Sequence, residues 1–227
     1  MSNSEAPEER PASGRHFTAP LRFREQIRPA ILSVLLLTFL TGCVFPLLLF
    51  AIAWPLFPHQ AGGSLVKVGG VVVGSDFIGQ EFTRPEYFHS RPSAAGSGYD
   101  ATASGGSNLG PNNPKLSNGA SDFVGIRQLA DEYRSRNGLP PGVEIPIDAV
   151  TRSGSGLDPH ISPANAILQV PRVSRARGLN EDTVRQLLTN HTKGPQLGFL
   201  GDARVSVLEL NLALDQLSRQ ITPRMTR

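Results

Sequence analysis

From Pro29 to Val66 the chain carries no Lys, Arg, Asp or Glu, and within that gap Ala30 to Phe57 is almost wholly apolar. A helix needs about 20 such residues to cross the hydrocarbon core of a bilayer. A buried helix of a soluble protein this long would show a polar face, and this run shows none. One N-terminal transmembrane helix over residues 29–57 is the expectation. Arg15, Arg22, Arg24 and Arg28 crowd the flank before it, with Glu25 beside them, whereas the first cation after it is Lys67. Excess Lys and Arg stay on the cytoplasmic side. The N-terminus is therefore expected inside, and everything after the span outside. Trp54 and Phe57 fall where an interfacial aromatic belt belongs.

The apolar run is too long for the 7–15-residue core of a cleaved signal peptide. Leu40-Thr41-Gly42-Cys43 has the look of a lipoprotein cleavage box, but Val44-Phe45-Pro46-Leu47-Leu48-Leu49-Phe50 follows where a polar tether would be needed. Cys43, the single cysteine, reads as an unprocessed membrane residue and leaves no internal disulfide framework. Pro46 should kink the helix, and Gly42 allows close approach by another helix.

The remainder reads as one loop-rich α+β domain. Residues 1–28 are expected to form a disordered cytoplasmic tail, 58–220 the extracytoplasmic domain, and 221–227 a short tail. Gly (23) and Pro (19) make up nearly one residue in five of 227, which demands many loops. Ser64–Val68 and Val71–Ser75 around Gly69-Gly70 predict a β-hairpin. Residues 92–121 are dense in Ser, Gly, Asn and Ala. Asp122–Arg136 has helical spacing, Ile145–Thr151 suits a short strand, and Ser162-Pro163 opens a helix to Gln169 that Pro171 interrupts before Gly178. Asn180 caps another helix. Val205–Leu210 alternates like a strand, with Asn211–Leu217 as a closing helix.

The net charge of +3 is scattered, which gives nucleic-acid binding little support. Ser104-Gly105-Gly106-Ser107-Asn108-Leu109-Gly110 has the glycine content of a phosphate-cradling loop but lacks the Gly-Lys-Ser/Thr of a Walker A sequence. It suits an ordered loop with glycines at positive φ. Asp158 and His160 have no third metal-ligand partner nearby and suit a turn with a satisfied histidine. Ser153, Ser155 and Ser162 lack the context of a nucleophile elbow. Arg172, Arg175 and Arg177 suit a solvated helix face. On these grounds the chain is a membrane-tethered binding or assembly protein. An envelope protein that binds cell-wall or secreted ligands fits that description as well as a subunit of a larger complex.

Several longer motifs stand in order: Thr41-Gly42-x-x-Phe45-Pro46, Gly62-Gly63-Ser64-Leu65, Ile78-Gly79-Gln80-x-Phe82, Tyr87-Phe88-x-x-Arg91-Pro92-Ser93-Ala94, and Ser104 to Pro111. Val150 to Pro163, Gln169-Val170-Pro171-Arg172-Val173 and Leu210 to Asp215 complete the series. Together, from about Arg28 to Leu217, they resemble the C subunit of the bacterial Kdp potassium-transporting P-type ATPase. The resemblance implies a non-catalytic subunit of an ATP-driven potassium uptake complex in the plasma membrane. Its implied partners are the ATPase subunit, the channel-like potassium subunit and the small helical subunit, besides the lipid bilayer. It also implies a catalytic chaperone that raises the ATPase subunit's affinity for ATP, with no cofactor of its own. For a nucleotide contact, the chemistry of the side chains nominates Ser104, Gly105, Gly106, Ser107, Asn108 and Gln169. Gly42 and Pro46 are nominated for packing between membrane helices.

Overall fold

A computed structural model describes residues 23–225, with side chains through residue 220. The proposed tail at residues 1–22 lies outside the described residues. The chain divides into two units, 1–61 and 62–227.

The first unit is helical. α1 spans Phe23–Phe39, a π-helical turn occupies Leu40–Val44, and α2 spans Phe45–Leu56, so one helix runs Phe23–Leu56. It starts six residues before the expected span, and Phe23–Arg28, assigned to the disordered tail, is its first turn and a half. Pro29 lies inside this helix, in its second turn, without ending it. A short turn of helix, α3 (Pro58–Ala61), closes the unit.

The second unit opens with the expected hairpin, β1 (Leu65–Val68) and β2 (Val71–Ser75), antiparallel with Val68 opposite Val71. Its register steps where Val66 faces Gly74 and Lys67 faces Val72, leaving Val73 as a bulge. The Gln80 side-chain amide donates to the Val73 carbonyl at 2.7 Å and satisfies it. After the long loop come α4 (Pro114–Asn118) and α5 (Ile126–Asn137). α5 begins later than Asp122 because Ala120 and Phe123 exchange backbone hydrogen bonds in a tight turn. The Phe123 ring then serves as a platform for the Arg152 guanidinium, 4.3 Å from its centroid, instead of joining the helix stripe.

A short 3-10 turn at Ile147–Ala149 replaces the strand expected over Ile145–Thr151. Asp148 explains it. Its carboxylate accepts from the Ser162 N–H and hydroxyl, both at 2.8 Å, and from the Asn165 amide at 2.9 Å, which ties this segment to the next helix. Next come β3 (His160–Ile161), α6 (Pro163–Arg177), α7 (Glu181–Asn190), β4 (Thr192–Lys193), β5 (Arg204–Ser206) and α8 (Val207–Met225). The sheet order is β3-β5-β4, all antiparallel.

Three expectations change here. α6 runs unbroken through Pro171, because Ala166, Val170 and Val173 are fully buried on one face and hold it to the core. The strand over Val205–Leu210 ends at Ser206. Val207, Leu210 and Leu214 recur at helical spacing and are all buried, so the 3.6-residue period outweighs the short alternation. The tail at 221–227 is likewise helical through Met225. Asn180 does cap α7, accepting from the Asp182 N–H at 2.8 Å. The main core joins Phe88 and Ile161 to α6, α7, β5 and α8, while Tyr133, Ala149 and Val150 form a second cluster with α5.

Candidate functional site

The apolar helix presents its surface outward along its whole length, with no buried residue in α1 or α2. The helix Phe23–Leu56 is long and apolar enough to cross a membrane. The π turn sits in mid-span and closes just before Pro46. There the Phe45 N–H reaches the Leu40 carbonyl, five residues back, instead of Thr41. The wider turn makes room for a ring that would otherwise press on the carbonyl four residues earlier. The Thr41 hydroxyl donates to the Leu37 carbonyl at 2.7 Å. At Gly42 no heavy atom lies within 4 Å of where a Cβ would stand, so the backbone is open to approach. Helix continues through Cys43 without a break.

In the folded unit, the quoted motifs converge on residues 84–92, a turn at Arg84–Tyr87 followed by Phe88–Pro92 without regular secondary structure. Asn211, on α8, accepts from the Phe88 N–H at 2.8 Å and donates to the Phe88 carbonyl at 2.9 Å. Gln169, on α6, does the same for the next residue, accepting from the His89 N–H at 2.7 Å and donating to the His89 carbonyl at 3.1 Å. Two side-chain amides thus imitate a pair of neighbouring strands, each pairing with both the N–H and the carbonyl of one buried residue. Gln169 is 1% exposed and its amide also meets Asn165 and Arg172, so it is occupied within the protein.

Arg172 is buried rather than solvated. Its guanidinium donates to Asn137, Gln169 and the carbonyls of Pro85 and Tyr87. Burial, reinforced by the nearby Arg136 charge, pulls its pKa down to about 10. Arg177 is buried too, paired with Asp215 at 2.8 Å and with its guanidinium carbon 5.0 Å from the Tyr87 ring centroid. Only Arg175 of the three faces solvent as expected. A planar donor suits this work, since the turn at Arg84–Tyr87 presents carbonyls that one guanidinium fork can collect.

His89 sits between these cations. Its Nε2–H donates to the Arg84 carbonyl at 3.0 Å, which leaves Nδ1 to accept from Arg136 at 3.3 Å. Burial foremost, then the Arg172 charge, lowers its pKa to about 4, so it is neutral at physiological pH. Neither His89 nor Asn211 is among the residues nominated from sequence for a site. Asn211 did carry a signal, since a polar residue stands between Leu210 and Leu214 on an otherwise apolar helix face.

The Ser104–Asn108 loop lies against Ser153–Gly156. Ser104 Oγ and the Gly105 N–H both donate to the Ser155 carbonyl, at 3.0 and 2.9 Å. Positive φ falls on Asn108 (52°) and not on the loop's own glycines. The demanding glycine is across from them. Gly156 has φ +70°, and a Cβ there would stand 2.5 Å from the Gly105 carbonyl oxygen and 2.7 Å from the Ala95 nitrogen. No residue of this loop shares a hydrogen-bond partner with Gln169 among the bonds described. Asp158 bridges Arg91 at 2.8 Å and accepts from the His160 N–H at 2.9 Å, while Ser155 Oγ accepts from the Leu157 N–H. Among the described residues no three His, Cys, Asp or Glu side chains group as metal ligands. A cleft of about 340 Å³ opens between α5 and the 81–83 and 90–99 segments. Its two arginines, Arg91 and Arg136, are paired with Asp158 and Glu132.

Comparison with known proteins accounts for the motif order. The family model described as KdpC, the K+-transporting ATPase c chain, matches residues 27–216. Among curated relatives, a potassium-transporting ATPase KdpC subunit from Koribacter versatilis is 48% identical over 201 residues, covering 88% of this chain and all of the relative. One from Mycobacterium tuberculosis is 49% identical over 86% of this chain and all of its own length. One from Caulobacter vibrioides is 53% identical over 83% of this chain and 92% of its own.

Proposed function

The chain belongs to the KdpC family, the c chains of K+-transporting ATPases, and on that premise we propose that it is the subunit that holds such a pump together. The observation that carries this reading is the extent of the match. Residues 27–216 take in both the apolar helix and the folded unit, so the shared design is the whole anchored chain and not a detachable domain. The strongest motifs serve the fold, as Gln169, Arg172 and Asn211 show, and the work of the subunit then falls to its surfaces.

In this reading the N-terminus is cytoplasmic and residues 58–220 are extracytoplasmic, supported by the arginine-rich flank. The helix packs against the ATPase, channel-like and small helical subunits through Gly42 and Pro46. The chaperone role toward ATP is exerted through the assembly. Two observations favour this over a nucleotide pocket on Gln169 and Ser104–Asn108. The Gln169 amide and the Gly105 N–H are already engaged, and an extracytoplasmic domain meets little ATP. Deleting the gene should abolish growth at limiting potassium, with restoration by a plasmid copy and no defect at high potassium. Unimpaired growth of the deletion strain at limiting potassium contradicts the proposal.

A further inference from the structure

The helical ladder has a gap at mid-span, and the gap has a chemical sign. In an α-helix the Thr41 carbonyl would accept from the Phe45 N–H, but that donor goes to Leu40. In π register it would accept from residue 46, which is proline and has no N–H. Either way the helix supplies the Thr41 carbonyl with no donor. The Thr41 hydroxyl is committed to Leu37. Water is not at hand in hydrocarbon, where backbone polar groups must find partners within protein. The neighbouring residue is Gly42, whose missing side chain leaves the surface open. Pro46 likewise withholds the α-helical donor of the Gly42 carbonyl, so acceptors beside a bare stretch of backbone select for a donor arriving from outside.

We propose that a transmembrane helix of another pump subunit places a hydroxyl or amide side chain on the Thr41 carbonyl, across the opening at Gly42. This rests on the reading of the chain as a pump subunit and names the chemistry of its contact. A second copy of this chain offers few donors near the turn, since the hydroxyls of Ser33 and Thr41 already donate within their own helix; Thr38 and Cys43 are its remaining ones, and the isolated chain in bilayers distinguishes that source. Pro46 and Gly42 then have one purpose: the first withholds the internal donor and the second admits the external one.

Thr41-Gly42 is the only Thr-Gly pair in the sequence. Labelling the chain with carbonyl-¹³C threonine and ¹⁵N glycine therefore isolates the Thr41 carbonyl by its directly bonded pair in solid-state NMR. The labelled chain is measured alone in lipid bilayers and again after assembly with unlabelled pump subunits. The Thr41 signal should move downfield on assembly. Pro46→Ala, which returns an N–H to the helix, should abolish that movement and weaken copurification about three- to thirtyfold, the worth of one interhelical hydrogen bond. Gly42→Leu should weaken it similarly, and the double variant should be no worse than the weaker single one. An unmoved signal in a complex that still assembles overturns this proposal and leaves the assembly function standing. A signal already downfield in the isolated chain also overturns it, since water or a second copy then supplies the donor. Failure of the labelled chain to assemble at all counts against the function itself.

Discussion

Asn211 and Gln169 each hold both the N–H and the carbonyl of one buried residue, and this makes their replacement unequal to an ordinary loss of packing. Asn211→Leu keeps the branching of the side chain but strands the buried N–H and carbonyl of Phe88. Each stranded group costs about 1–3 kcal/mol, so a loss of roughly 2–6 kcal/mol is expected in chemical unfolding of the full chain in detergent. A change below 1 kcal/mol would show that Phe88 finds other partners. His89 supplies the second prediction at this scale. Its imidazole takes a proton near pH 6.5 when unfolded but only near pH 4 when folded. The unfolded state binds more protons in that window, so stability falls as pH drops from about 6.5 toward 4. The loss reaches on the order of 3 kcal/mol by linkage. His89→Gln should flatten this part of the unfolding-midpoint profile against pH. An unchanged slope would place the titrating group elsewhere.

Elements were legible where one period dominated. The span, the hairpin and the Asn180 cap declared themselves through charge, turn chemistry and capping, which are local. Expectations missed where a distant side chain decided the outcome. Asp148 turned a would-be strand by reaching Ser162 and Asn165, and the core behind Val170 carried α6 through Pro171. The nominated loop lies against Ser153–Gly156, yet its positive φ sits on Asn108 and its close approach on Gly156. That pairing between residues fifty apart is invisible to a linear reading. At this scale the helix Phe23–Leu56 also carries the orientation. A reporter active only outside the cytoplasm, fused after Arg227, should be active, while one active only inside should be silent. The reverse pattern would overturn the extracytoplasmic assignment.

For the whole molecule, one apolar helix and one motif-rich folded unit are shared with potassium-transporting ATPase c chains across nearly their full length. Buried amides and guanidinia make the folded unit a rigid part, and the mid-span turn gives the helix a shape that a bare anchor has no use for. Both properties suit a subunit whose product is an assembled pump. The most direct measurement is affinity purification of the tagged full chain from native membranes of cells grown at limiting potassium. The account predicts that a P-type ATPase subunit and a channel-like subunit copurify in fixed proportion, with potassium-stimulated ATP hydrolysis in the eluate. Recovery of the chain alone, or with partners unrelated to ion transport, would contradict it.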